Sequence, residues 1–207
     1  MVEDNLVYIL DEKVYINLTN LCTNNCIFCL RQDKDDVCGQ NMWLTSENIK
    51  PKDVIDQLEK HSSIVHKGVT FCGYGEPTIK FELLKEVAKY IKENYPQTYI
   101  KVNSNGHGNQ IHKKNILPEL VGLVDEFSIS LNASEEKLYN ELSQPKIPNA
   151  YNSTKEFAKI SSELGFKTTL TVVSGYKNYT VDICECESFA KNINAKFRNR
   201  EWIENGY

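Results

Sequence analysis

The chain has 207 residues, 41% of them hydrophobic and 25% charged, with a formal net charge of −4 and a pI near 5.7. That length suits one domain, 1–207, with a proper core, and falls short of the about 250 residues of a closed eight-stranded β/α barrel. The charge offers no global attraction to nucleic acid, and no apolar run approaches a membrane span, so neither nucleic acid nor membrane is an expected partner.

Met1-Val2-Glu3-Asp4-Asn5 is acidic and has no cationic stretch leading into an apolar one, so it does not read as a signal peptide. The first predicted strand is Val14-Tyr15-Ile16-Asn17-Leu18, from its alternation. It runs into Cys22-Thr23-Asn24-Asn25-Cys26-Ile27-Phe28-Cys29-Leu30-Arg31, then into a polar loop, 32–41. A helix is predicted from Pro51 through Val54, Ile55 and Leu58, with Pro at its favoured first position. Gly68 to Cys72 reads as a short strand ending in Gly73-Tyr74-Gly75-Glu76-Pro77, and a second helix carries Phe81, Leu84, Val87, Ala88 and Ile91 on one face.

Tyr99 to Asn103 is the next strand, broken by Ser104-Asn105-Gly106. A short helix around Pro118 to Val121 leads to the alternating strand Glu126 to Leu131. Helices follow at Ser134 to Leu142 and Ser153 to Leu164, the latter stopped by Gly165. Lys167 to Val173 reads as strand, Thr180 to Ile193 as helix, and Ala195 to Arg200 as the last strand. About six alternations of strand and helix predict an α/β fold, an open, partial (β/α)6 barrel of the TIM type with six parallel strands. The loops at the carboxyl ends of the strands then build the site, and the cysteine loop, the glycine turn and 104–106 all lie there.

Seven cysteines, three of them bunched, suit a reducing cytoplasm and a metal better than a disulfide framework. Soft thiolates select iron–sulfur clusters, zinc or copper(I). Closed zinc sites and electron-carrying clusters take four ligands, so three cysteines in one loop leave a metal position open. A zinc loop or an electron-transfer module is the non-enzymatic alternative.

This C-x3-C-x2-C array, with Phe28 before the third cysteine, resembles the cluster loop of radical S-adenosylmethionine (SAM) enzymes. The turn Gly73-Tyr74-Gly75-Glu76-Pro77 resembles the family segment that holds the methionine amino group of SAM, largely through its backbone, with Glu76 bracing the turn. The longer pattern, Tyr15 to Asn20, Phe71 to Thr78, Asn105 to Asn109 and Ser130 to Ala133, is similar to the TatD-linked radical SAM proteins.

The resemblance implies that Cys22, Cys26 and Cys29 hold a [4Fe-4S] cluster whose fourth iron binds SAM. It implies reductive cleavage to a 5′-deoxyadenosyl radical that takes hydrogen from a substrate, small molecule or protein. An external one-electron donor of the flavodoxin or ferredoxin type is needed. An activating enzyme that installs a glycyl radical on a partner protein is a second reading within the superfamily. Expected SAM contacts are Phe28, Gly73, Tyr74, Gly75, Glu76, Asn103, Ser128, Ser130, Asn132 and Val172. The adenine position matches loosely, and Val172 is as readily core. Ser128, Ser130 and Asn132 alternate, which places them on one face of the strand. Arg31, Cys72 and His107 border the rest of the open face and are candidates for substrate contact. Cys186 reads as core, and Cys38, Cys184 and Cys186 are not placed to complete a tight site.

Overall fold

The computed structural model describes residues 4–203. Its strands are β1 (Val7–Leu10), β2 (Lys13–Ile16), β3 (Asp36–Val37), β4 (Gln40–Asn41), β5 (Val69–Phe71), β6 (Ile100–Ser104), β7 (Glu126–Ser130), β8 (Lys167–Ser174) and β9 (Lys196–Glu201). Its α-helices are α1 (Pro51–Glu59), α2 (Ser62–Val65), α3 (Phe81–Asn94), α4 (Gly108–His112), α5 (Glu136–Ser143), α6 (Ala150–Glu163) and α7 (Ile183–Asn192).

One sheet runs β1-β2-β5-β6-β7-β8-β9, with β2 and β5 to β9 parallel and β1 antiparallel at the edge. The six parallel strands are those expected, and the sheet is open, with β1 and β9 as its edges. Strand β1 is an addition. It pairs with β2 through a turn in which Asp11 and Glu12 both have positive φ, 48° and 58°. That geometry suits a two-residue hairpin, but Asp-Glu lacks the glycine that usually signals one. The polar stretch after the cysteines contains a second small hairpin, β3–β4, turning at Cys38 and Gly39, φ 51° and 77°.

Register separates the two faces of the sheet. Ile16, Phe71, Val102, Phe127, Ile129, Leu170 and Val172 are fully buried and belong to the main core under the helices. Helix α3 meets them with Phe81, Leu84, Val87 and Ile91, side chains whose burial stabilises by about 1.5–3 kcal/mol each. The intervening residues face the concave side, where Cys72 follows β5 and the rows Asn103–Ser128–Thr169 and Ser130–Thr171–Arg198 run across neighbouring strands. At the amino-end of this concavity Glu126 bonds Lys167 at 2.7 Å and Lys101 at 3.2 Å, and accepts from Tyr99 at 2.8 Å. Its carboxyl is held down to about 2: these partners outweigh the burial that would raise it. That end is closed by paired charges, and the opening lies at the carboxyl ends. Among the described residues no helix is long and apolar enough to cross a membrane.

Candidate metal and cofactor site

Cys22, Cys26 and Cys29 lie half-buried on the loop that leaves β2. The entry to that loop is fixed by Asn20, which exchanges side-chain hydrogen bonds with the Leu44 backbone at 2.8 and 3.0 Å. Glu47 receives Thr19 Oγ1 at 2.6 Å and Asn20 N at 2.8 Å. The far side of the loop uses the carbonyls left free at the end of α5: Asn25 N donates to Ser143 O at 3.0 Å and Ile27 N to Leu142 O at 2.9 Å.

The glycine turn abuts the same loop. Glu76 N donates to Leu21 O at 2.8 Å, and a Cβ on Gly75 would lie 2.2 Å from Thr19 O. The glycines are therefore required by loop-to-loop approach within the protein. Glu76 is buried and accepts from Thr78 N at 3.1 Å, Thr78 Oγ1 at 2.5 Å, Ser104 Oγ at 2.8 Å and Asn105 N at 2.7 Å. Burial pushes its carboxyl up, partly offset by these donors. Its side chain ties the turn to the end of β6, a brace as expected.

From β6 a buried polar chain returns to the cysteines. Asn105 Nδ2 donates to Thr23 Oγ1 at 2.8 Å and to Cys22 Sγ at 3.8 Å, and Asn24 N reaches Cys22 Sγ at 3.5 Å. His107 joins Thr23 Oγ1 at 2.8 Å to the Tyr139 hydroxyl at 3.0 Å, and Tyr139 meets Thr154 Oγ1 at 3.2 Å. On the outer flank, Phe28 packs edge-on to Tyr176 at 5.9 Å, and the Tyr176 hydroxyl donates to Ile27 O at 2.7 Å.

Residues 16–185, which include the three cysteines and the turn, match the Radical SAM superfamily. The chain belongs to the radical SAM superfamily. It is 27% identical over 157 residues to a 7-carboxy-7-deazaguanine synthase of Methanocaldococcus jannaschii, covering 72% of this chain and 60% of that protein. It is 28% identical over 188 residues to a 5-amino-6-(D-ribitylamino)uracil–L-tyrosine 4-hydroxyphenyl transferase of Nostoc punctiforme, covering 84% of this chain and 46% of the relative. The chain thus spans about half the length of these relatives. Among solved structures, SuiB of Streptococcus suis bound to precursor peptide SuiA shares the fold at TM-score 0.68 and 18% identity, over 96% of this chain and 41% of SuiB.

Radical SAM proteins carry an iron–sulfur cluster and SAM, and the donor set here fits a cluster. Two N–H groups already point at Cys22 Sγ, an arrangement that favours a ligating thiolate. Burial raises the Cys22 thiol, and burial together with Cys29 and Cys22 pushes Cys26 up to about 12, so bound iron is what would keep these sulfurs deprotonated. Among the described residues no three His, Cys, Asp or Glu side chains gather as around a single metal ion.

Several expected roles change in this radical SAM fold. His107 is fully buried with both ring nitrogens engaged, so it positions Thr23 and does not face a substrate. Arg31, expected to contact substrate, is half-buried and donates to Asn24 O at 2.9 Å, Tyr74 O at 3.3 Å and Asn20 O at 3.4 Å, clamping loop to turn. The Tyr74 side chain turns away, its hydroxyl donating to Lys34 O at 2.6 Å and its ring edge-on to Trp43 at 5.1 Å, so only its backbone faces the opening. Asn132 leaves the strand face at φ 62° and donates to Ser143 Oγ at 2.9 Å. Val172 is fully buried with the helix-side core. Asn103, Ser128 and Ser130 do lie half-buried on the concave face, and Cys72 sits beside Asn103. Cys186 is buried, whereas Cys38 and Cys184 are exposed.

Burial holds the His107 imidazole down to about 4. The unfolded chain, at the ordinary value near 6.5, takes up the proton first, so this stability is complete above pH 6.5 and is lost as pH falls toward 4. Urea unfolding of the apoprotein should lose about 3 kcal/mol over that window beyond the loss in His107→Gln. Parallel pH profiles for the two proteins would contradict the buried, neutral imidazole.

Proposed function

We propose that residues 1–207 act as one radical SAM core domain, closest in kind to the TatD-linked proteins. In this reading Cys22, Cys26 and Cys29 hold a [4Fe-4S] cluster. The backbone of 73–76, with Phe28, Asn103, Ser128 and Ser130, borders SAM. When bound, the cluster and SAM supply one-electron cleavage of a carbon–sulfur bond and abstraction of a hydrogen atom from a substrate, the electron coming from a flavodoxin- or ferredoxin-type donor. The chain's own work is to orient and enclose. Asn105 and the Asn24 amide hold Cys22, Arg31 locks the loop to the turn, and the aromatic pair Phe28–Tyr176 ties the loop to the end of β8.

The observation that carries this reading is the double N–H contact to Cys22 Sγ in a loop packed directly on the glycine turn. The test is anaerobic incubation of reconstituted protein with SAM and dithionite, assaying 5′-deoxyadenosine. Accumulation of that product is expected. Tightly bound zinc without sulfide, and no product, would overturn the reading.

A further inference from the structure

The chain has three arginines, and their placement divides their work. Arg31 is engaged by three backbone carbonyls of the cluster loop and turn. The other two, Arg198 and Arg200, stand at alternate positions of β9, in register with Thr171 and Val173 of β8. Phe197, the residue before Arg198, packs on the helix-side core, so by alternation the two arginines face the concave side.

Two lysines of that side are already paired. Lys101 and Lys167 are paired with Glu126 at the closed end. Among the described residues neither Arg198 nor Arg200 has a carboxylate within 4.0 Å, and Arg200 Nε is enclosed with no acceptor. A buried N–H without an acceptor is a cost that a bound oxygen removes. The Arg200 charge also acts on the thiol of Cys72, which follows β5, four places along the sheet from β9. Arg200 and Cys72 thus face the same concavity. The opposite wall is aromatic, with Tyr8 stacked on Tyr15 at 5.3 Å.

We propose that Arg200, assisted by Arg198, binds the oxyanion, carboxylate or phosphate, of the molecule that gives up the hydrogen atom. This rests on the reading above that the concave face receives a substrate beside SAM. A planar guanidinium fork is matched to carboxylate and phosphate oxygens, and a low-dielectric floor strengthens the pairing.

The test is calorimetry at constant ionic strength on the reconstituted, SAM-bound protein, titrated with inorganic phosphate and separately with acetate. Saturable binding in about the millimolar range is expected for one of them, which also tells a phosphate-bearing donor from a carboxylate-bearing one. Arg200→Gln should weaken it about tenfold or more, and Arg200→Lys, which keeps the charge without the fork, should weaken it by a smaller factor. No saturable binding of either anion to the wild type, or equal binding by the wild type and both variants, overturns the proposal. So does weaker SAM binding by Arg200→Gln with anion binding only when SAM is left out, which would assign the site to SAM's carboxylate. Formation of 5′-deoxyadenosine by the wild type is scored separately, so loss of that activity would fault the cleavage reading and not the oxyanion site.

Discussion

Changing any one of Cys22, Cys26 and Cys29 to Ala should take iron in the anaerobically reconstituted protein from about four atoms per chain to near none, with loss of the broad thiolate-to-iron absorbance. In the proposed site each cysteine is one of three protein ligands, so the loss of one leaves the cluster without an iron ligand. The loop itself should survive the change. Arg31, Asn20 and Asn105 hold it through backbone and side-chain bonds that do not use the sulfurs of Cys26 or Cys29, and the far-ultraviolet circular dichroism should match the wild type. Cys38→Ser and Cys184→Ser, both at exposed positions, are the matched controls and should keep their iron. Full iron and sulfide in Cys26→Ala would show that the cluster is bound elsewhere, and the site described here would have to be abandoned.

Contiguous signals in the chain were read to good effect, and dispersed ones were not. Alternation in Glu126 to Leu131 and the apolar spacing of Phe81 to Ile91 placed β7 and α3 because each depends on one local period. Helix ends were less legible. Helix α7 begins at Ile183, where the Asp182 side chain accepts from Glu185 N at 2.9 Å, and not at Thr180. Strand β1 and hairpin β3–β4 are not legible because Glu12 and Cys38, residue types that do not mark a turn, take positive φ in them.

The site divides in the same way. The cysteines and the glycine turn are short motifs, visible as such. Tyr139, Ser143 and Thr154, which hold the loop through His107, Asn25 and Asn105, come from α5 and α6 and are ordinary helix residues in sequence. His107 lies 84 residues from Thr23 and 32 from Tyr139, so only the fold brings them together. By sequence, its place after β6 puts it on the border of the open face; the packing of α4 and α6 buries it. For Arg31, proximity to the cysteines was apparent, but its three carbonyl partners depend on how the turn after β5 returns to the loop after β2.

That return is also where a single methyl group should do the most damage. A Cβ on Gly75 would lie 2.2 Å from Thr19 O and 2.6 Å from Leu21 O, both backbone atoms of the segment entering Cys22. Neither oxygen can swing aside as a side chain would, so the turn and the loop must separate. Separation breaks the 2.8 Å bond from Glu76 N to Leu21 O and draws Tyr74 O away from Arg31. Gly75→Ala should therefore lower apoprotein stability by about 3 kcal/mol, at the upper end for overpacking, and reduce retained iron as well. Gly73→Ala should cost less, because its Cβ would meet the side chain of Asn17, at 2.0 Å from Oδ1, and a side chain can rotate. Gly122 separates contact from conformation: it has φ 81° and nothing within 4 Å of a Cβ, so Gly122→Ala should cost about 1 kcal/mol and leave iron binding intact. Urea midpoints of the apoproteins and iron content after reconstitution read both effects. A Gly75→Ala protein as stable as Gly122→Ala and fully loaded with iron would mean that the turn does not press on the cluster loop.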